Sequence, residues 1–480
     1  MQDRSAGAET GTLSFDSPRG ASAPQPCEET SISVDSMRRI DDAVRHSGPP
    51  PEDKSARSSA APSRDSAQRE SHRAPVRPWH RYLLERALAM AGGPPISAAL
   101  WDGQEIRPTT RSPLAKVVVH NAATLRRLAI NPFFQFAEAY SSGQIDVFGD
   151  LVEALVAINR SINASARATL IYKLVSQWFR LPRFNSLSVS RDNVYHHYDI
   201  GNDFYRLWLD EQLAYTCAYF PTRDATLEQA QVAKFDHVCR KLWLRPGERV
   251  VEAGCGWGGL ALHMARHYGV TVRAYNVSRE QIAYARRRAK AEGLADRVEF
   301  IEDDWRHIRG KCDAFVSVGM LEHVGKRQYS RLGEVIDRTL LPHGRGLVHS
   351  IGRNRPAPVD RWIERRIFPG SYPPSLAEMM RIFEPCGFSV LDVENLRLHY
   401  AETLRHWLAR FERAVERVRA MFDERFVRMW RLYLAGSVAA FETGDLQLFQ
   451  VVFARGDSND VAWTRAGVYT GQSPAAAATG

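Results

Sequence analysis

Between Arg249 and Tyr268 the chain passes from a short apolar strand pattern, Arg249–Ala253, through Glu252-Ala-Gly254-Cys-Gly256-Trp-Gly258-Gly259 into a helical pattern over Ala261–Tyr268. Glycines packed this densely at a strand-to-helix turn let backbone N–H groups approach a ligand more closely than side chains would allow. The alternation continues, with Thr271–Tyr275 a strand, Arg279–Glu292 a helix, and Val298–Ile301, Ala314–Val318 and Gly346–Ser350 further strands. Strands alternating with helices at this spacing predict a doubly wound α/β sheet.

What the loop holds is constrained by its neighbours. As a GxGxxG pattern it could cradle a dinucleotide pyrophosphate, or be no more than a tight structural turn. Two details favour S-adenosylmethionine. Glu252 stands two positions before the first glycine, where it can engage that cofactor's ammonium, and strand two ends in Asn276 rather than the acidic residue a nicotinamide cofactor wants. Asp304-Trp305 closes the third strand, its carboxylate able to accept an adenine amino hydrogen and its ring able to stack on the base. Alone, an Asp-Trp pair after a strand is more often structural; three elements in the right order point to a methyltransferase.

At 480 residues the chain accommodates two folded units with extensions. Residues 1–76 are rich in Ser, Ala, Pro and charge with few large hydrophobes, and predict a disordered extension. Residues 77–184 predict a small α+β domain: strands over Ile96–Trp101 and Ala115–Val119 around an Asp102-Gly103 turn, then helices over Pro132–Ser141 and Leu151–Ile158. The α/β domain occupies 185–456, and 457–480 predict a disordered tail. The six scattered cysteines suggest reduced thiols, with neither disulfide nor structural zinc, and no metal site is assigned. Lacking a run of about 18 apolar residues or a secretory leader, the chain is expected in the cytoplasm.

Net charge is +9, and all of the excess lies beyond Arg77, where 53 Lys/Arg face 43 Asp/Glu. Such a surface suits anionic lipid or nucleic acid. No nucleic-acid-binding signature accompanies it, so no nucleic-acid partner is expected.

A series of words in order now becomes specific: His197-Tyr-Asp-Ile-Gly-Asn-Asp-Phe204, Tyr215-Thr-Cys-Ala-Tyr-Phe220, Val251-Glu-Ala-Gly-Cys-Gly-Trp-Gly-Gly-Leu-Ala261, Ser317-Val-Gly-Met-Leu-Glu-His-Val-Gly325 and Gln447-Leu-Phe-Gln-Val-Val-Phe453. On these words the chain resembles the cyclopropane-fatty-acyl-phospholipid synthase family, including the mycolic acid cyclopropane synthases, from about Tyr195 to Gly456. The resemblance implies a Rossmann-like class I methyltransferase domain behind a small N-terminal α+β domain, with disordered termini. It implies a cofactor site of Tyr215, Thr216, Glu252, Gly254, Gly256, Trp257, Gly258, Asn276, Ser278, Gln281, Asp304 and Trp305. It also implies an active site in which Cys217, Glu322, His349, Ile351 and Tyr400 hold a bicarbonate ion. Taken singly, these are equally a buried thiol, a helix-start carboxylate, a satisfied strand histidine, strand packing and a core aromatic. Jointly and in family order they form a site.

The implied chemistry adds a methylene, taken from the methyl of S-adenosylmethionine, across the cis double bond of an unsaturated phospholipid acyl chain. A carbocation forms, and a base must remove a proton from the added methyl to close the ring. Implied partners are the phospholipid of a membrane, reached by peripheral association, and a second copy in a homodimer. The rival products are a methyl or methylene branch on the acyl chain; a lipid-binding protein with a decayed cofactor site is the non-enzymatic rival. The sequence departs from the family in having Glu252 where many relatives have Asp, and Ser437 where relatives often have Cys. Ser437 is taken as a packing position outside the site. Between Leu404 and Phe441 apolar residues recur as Leu404, Trp407, Leu408, Phe411, Val415, Val418, Phe422 and Phe426 and predict a helical stripe, read as core-facing in preference to lining an acyl tunnel.

Overall fold

A computed structural model describes residues 75–108, 112–168 and 200–470. Residues 1–74 of the predicted extension, the predicted domain boundary at 184/185, the start of the His197 word and the last ten residues therefore lie outside the described residues.

The small domain opens on a helix, Pro78–Met90, and forms a four-stranded sheet ordered β2-β1-β3-β4, with β1 at Ser97–Ala99, β2 at Glu105–Ile106, β3 at Ala115–Val119 and β4 at Ile145–Gly149. β1 is shorter than the strand the sequence predicts, because the chain turns at Asp102-Gly103 and pairs back through β2. β3 alternates buried and half-buried positions, the period-two signature of a sheet with one covered face. Two asparagines start the helices that follow. Asn121 accepts from Thr124 N at 2.9 Å, and Asn131 caps Pro132–Ser141, whose first residue is a proline. The helix predicted over Leu151–Ile158 runs on to Ala168.

The α/β domain is built on seven strands: β5 Arg249–Ala253, β6 Thr271–Asn276, β7 Val298–Glu302, β8 Cys312–Val318, β9 Leu340–Gly352, β10 Phe388–Asn395 and β11 Gln447–Arg455. Their order is β10-β11-β9-β8-β5-β6-β7; β5 through β9 run parallel, and β11 is antiparallel to both neighbours. The winding reverses between β5 and β8, and in such sheets ligands bind at that point, outside the carboxyl ends of the strands. Glu252 and the glycine loop end β5, and Gly319 follows β8, so the tertiary order puts both words at the reversal.

The predicted stripe is divided among three helices, Arg397–Arg413, Val415–Met421 and Glu424–Thr443, with Phe422 between the second and third and 37% exposed. Asp423 begins the last by accepting from Phe426 N at 2.7 Å. Trp407, Phe411 and Val418 are fully buried, which supports the core-facing reading; Leu404 also reaches the cavity described below. The two domains share this core. Tyr140 and Val156 of the small domain lie in one apolar cluster with Trp208, Trp407, Trp430 and Leu434. Arg366 pairs with Glu138 at 2.7 Å and Arg428 with Asp146 at 2.9 Å across the same junction.

The stretch after Gly456 departs from the expected disorder up to Thr470. A short helix, Ala466–Thr470, buries Val468, and its carbonyl accepts from Arg240 Nη1 at 3.4 Å while Arg465 pairs with Asp392. One buried valine anchors a segment whose polar composition masks it.

Candidate active site

The glycine loop, the end of β6, Asp304-Trp305 after β7 and the Tyr215-Thr216 segment converge on one pocket. Ten of the twelve residues assigned to the cofactor line it: Tyr215, Thr216, Glu252, Gly254, Gly256, Trp257, Asn276, Gln281, Asp304 and Trp305. Gly258 and Ser278 do not. Gly258, at φ +86°, begins the helix Gly259–Tyr268, and a Cβ there would sit 2.5 Å from the Phe300 ring, so it is a packing glycine. Ser278 is buried and caps the helix Arg279–Ala291 through Gln281 N. Both hold the loop's frame.

Gly256, at φ +54°, faces open space with nothing within 4 Å of a built Cβ. This is a cradle that a side chain would fill. Asn276 Nδ2 donates to Gln281 Oε1 at 2.7 Å and to Gly256 O at 3.4 Å, fixing the loop to the β6 end. Trp257 turns its Nε1–H to Asn202 Oδ1 at 2.7 Å and packs on Tyr205. The Asp304 carboxylate is more committed than the sequence reading supposes. Arg306 Nη1 bridges its two oxygens at 3.0 and 2.9 Å, and Oδ1 also accepts from Arg306 N, capping the turn Trp305–His307. A carboxylate offers about four acceptor sites, which leaves room for one further donor.

Glu252 is 2% exposed, and its Oε2 has no hydrogen-bond partner. Burial pushes its carboxyl up to about 8, opposed by the nearby Lys234. Lys234, equally buried, is brought down to about 8 by desolvation and donates to Thr216 Oγ1 at 2.8 Å. The bare carboxylate oxygen, the unpartnered Gln281 Nε2 and the open face of Gly256 fit an organic cation with a purine, as S-adenosylmethionine is.

A second cavity, of about 2100 Å³, meets this pocket at Tyr215, Thr216, Gly319, His323 and Val324. Cys217, Glu322, His349, Ile351 and Tyr400 all line it, so the fold brings together five residues from four separated segments of the chain. Burial pushes the Cys217 thiol up, and Sγ donates to Ala218 O at 3.2 Å. Glu322 is pushed up to about 7 by burial, opposed by the backbone N–H of Ile351, which donates to Oε1 at 2.6 Å; Oε2 has no hydrogen-bond partner. Ile351 lines the cavity with the other four, and its N–H is engaged by Glu322. Burial, reinforced by Lys234 and Lys241, takes His349 well below the ordinary histidine range and keeps it neutral. Tyr400 packs on Phe441, ring centroids 4.6 Å apart.

The remaining wall comes from the helix Glu424–Thr443, where Tyr433, Gly436, Ser437 and Ala440 recur on one face. Ser437 thus borders the cavity, contrary to its reading as a packing position. Tyr433 and Tyr215 join their hydroxyls at 2.7 Å. The sequence reading also missed Lys234, His323 and Gln450. His323 lines both cavities, and burial lowers it to about 4. Its place beside Glu322 was a usable signal, as was the place of Gln450 inside the Gln447–Phe453 word; Lys234 carried none, being one of many polar residues in the helix Leu227–Lys241.

Residues 185–451 match the family described as mycolic acid cyclopropane synthetase, and residues 83–169 match a domain of unknown function, DUF7884. The chain is 36% identical over 387 residues to a probable fatty acid methyltransferase of Pseudomonas putida, covering 78% of this chain and 96% of that protein. It is 42% identical over 264 residues to the cyclopropane-fatty-acyl-phospholipid synthase of Escherichia coli K12, covering 55% of this chain and 68% of that protein. Among solved structures, the mycolic acid cyclopropane synthase CmaA1 complexed with SAH and CTAB superposes with a TM-score of 0.53 at 30% identity, over 55% of this chain and 97% of that one. With the sheet order, the cofactor pocket and the adjoining cavity in place, the chain belongs to the mycolic acid cyclopropane synthetase family of S-adenosylmethionine-dependent methyltransferases.

Proposed function

We propose that this enzyme closes a cyclopropane ring across the cis double bond of an unsaturated fatty acyl chain carried by a membrane phospholipid, with bound bicarbonate as the base. One observation carries the reading: Cys217, Glu322, His349, Ile351 and Tyr400 line a single large cavity that opens onto the cofactor pocket at Thr216 and Gly319. At about 2100 Å³ the cavity exceeds the roughly 300–1,000 Å³ of ordinary small-molecule sites, as a long acyl chain requires.

When bound, S-adenosylmethionine supplies an electrophilic methyl group, and bicarbonate supplies a weak oxyanion base. Glu252, Gln281 and the backbone at Gly256 would hold the former; His349 and Tyr400, with a weak contribution from Cys217, would hold the latter. Glu322, fixed by Ile351 N–H, places a carboxylate that offsets positive charge developing on the acyl chain, where the dry surroundings strengthen the effect. Apolar lining residues such as Leu404, Leu432, Phe441 and Leu448 would limit the access of water, which could otherwise capture the cation.

Membrane association is supported by large hydrophobics exposed on the small domain, among them Tyr82 at 60%, Ile130 at 85% and Phe133 at 47%, in a chain with a net charge of +9. Among the described residues no helix is long and apolar enough to cross a membrane. A homodimer remains part of the proposal and is tested by sedimentation.

A second reading, a methyl- or methylene-branched product, is favoured by the Pseudomonas relative's name over nearly its full length. Incubation with unsaturated phospholipid and methyl-labelled cofactor, followed by mass spectrometry and NMR of the acyl chains, separates the two. A labelled ring is the expected product. A labelled branch would replace the ring assignment, and unlabelled lipid would remove the acyl substrate altogether.

A further inference from the structure

Gln450 on β11 lies in register with His349 on β9. Its Nε2 is 3.1 Å from His349 Nδ1, and its Oε1 is 2.9 Å from Lys241 Nζ. Lys241 Nζ also donates to Glu394 Oε2 at 2.6 Å, and the same oxygen lies 2.7 Å from His237 Nε2. His349, Gln450, Lys241 and His237 are each 2% exposed or less, so water does not compete for these groups.

The direction of the chain follows from what each group can do. An ammonium has three donors and no acceptor, so the Gln450 atom facing Lys241 must be the carbonyl oxygen. The amide NH₂ then faces His349, and Nδ1 must accept. A neutral imidazole whose Nδ1 accepts carries its proton on Nε2. Glu394 is held down to about 2 by His237 and Lys241 despite its partial burial, and as a carboxylate it anchors the ammonium against the pull of desolvation. Placing the proton on Nδ1 would set N–H against N–H in a dry site, a loss with no compensating partner.

We propose that Lys241 and Gln450 are positioning residues that lock His349 in its neutral Nε2–H tautomer, making it a fixed hydrogen-bond donor to an anion in the active-site cavity and barring it from acting as the proton acceptor. The donor role rests on the bicarbonate reading above; the tautomer rests on the buried chain from Glu394 to His349. Neither residue belonged to the site implied by the sequence.

The test uses the full-length enzyme with nitrogen-15-labelled histidine, the His349 signals being assigned by their loss in His349→Gln. The parent should show a protonated Nε2 and a bare Nδ1, unchanged from about pH 6 to 9. Gln450→Glu is nearly isosteric, keeps an acceptor for Lys241 and sets a carboxylate against Nδ1, so the proton should move to Nδ1. The half-saturating bicarbonate concentration should then rise roughly ten- to a hundred-fold, as loss of a hydrogen bond to a charged acceptor predicts, with cofactor affinity unchanged. Lys241→Met releases the Gln450 amide and should give a mixture of tautomers, which covers the case in which Gln450→Glu does not fold. A parent with Nδ1–H, a ring that titrates in this range, or variants that keep the parent tautomer would overturn the lock. Inversion in Gln450→Glu with no change in bicarbonate dependence would overturn the donor role. A parent with the Nε2–H tautomer but no response to bicarbonate would refute the bicarbonate reading and leave the tautomer lock supported.

Discussion

The backbone N–H of Ile351 donates to Glu322 Oε1 at 2.6 Å, which fastens a buried carboxylate of the short helix Leu321–Val324 to the end of β9 and leaves its second oxygen without a partner at the cavity. Glu322→Gln keeps the acceptor for Ile351 and removes the charge. Turnover should fall by about 10²-fold or more, the scale for losing one electrostatic stabiliser, while cofactor affinity stays within a few-fold. Because burial raises Glu322 to about 7, the ionised form accumulates as pH rises through neutrality. The parent's rate should climb across that range, and the limb should vanish in Glu322→Gln; a variant with full turnover would remove the carboxylate from the mechanism.

Cofactor binding should release a proton. Glu252 titrates at about 8 in its buried position, so near pH 7 much of it is protonated, whereas a bound cation favours the carboxylate. Affinity for S-adenosylmethionine should therefore rise with pH up to about 8 and level off above. Calorimetry in two buffers of different ionisation enthalpy measures the released proton directly. Glu252→Gln should bind more weakly and release less; equal proton release in the variant would point to Lys234 instead.

Two glycines of one loop should fail differently. Gly256→Val meets open space, so its folding penalty is confined to the strained positive φ, yet it should abolish cofactor binding by filling the cradle. Gly258→Val drives a Cβ into Phe300 and Ala285 and should cost at least about 1–3 kcal/mol of stability. Thermal melts with and without cofactor distinguish them: a Gly256→Val protein whose melting point still rises with cofactor would contradict the cradle.

Removing Trp79 through Phe184 should lower the melting temperature of what remains as well as lipid engagement. The helices that carry Tyr140 and Val156 pack on Glu424–Thr443 within one apolar cluster, and deletion exposes part of that cluster to water. A truncated protein that melts like the parent and binds cofactor normally would show the shared core to be dispensable.

Bicarbonate dependence provides a further check on the anion site. Enzyme and buffer stripped of carbon dioxide should turn over slowly, and added bicarbonate should restore the rate without altering cofactor affinity. His349→Gln and Tyr400→Phe should each raise the bicarbonate needed by roughly ten- to a hundred-fold, since each weakens a hydrogen bond to a charged acceptor worth about 1.5–3 kcal/mol. Full speed in stripped parent and variants alike would make a side chain the base.

The alternating periods from Arg249 to Ser350 were enough to predict β5, β6, β7, β8 and β9, and the glycine loop with Glu252 and Asp304-Trp305 to predict the cofactor pocket, because strand period, turn chemistry and a close backbone approach are local properties written in consecutive residues. Other features depended on which distant residues become neighbours. Ile351 and Glu322 are 29 positions apart, and only the pairing of β9 with its surroundings brings the Ile351 N–H onto that carboxylate. The packing role of Gly258 and the capping role of Ser278 were not legible in the sequence, since φ and the identity of the atoms behind a backbone are set by the assembled sheet. Lys234 and Lys241 could not be picked out from sequence because a lysine in the polar-rich helix Leu227–Lys241 looks alike whether it is solvated or buried, and Gln450, though inside a family word, gave no sign of its partner. Folding removes it from water, and it must then find a partner from another element. That compulsion, acting between strands and helices far apart in the chain, decided the inner layer of this active site.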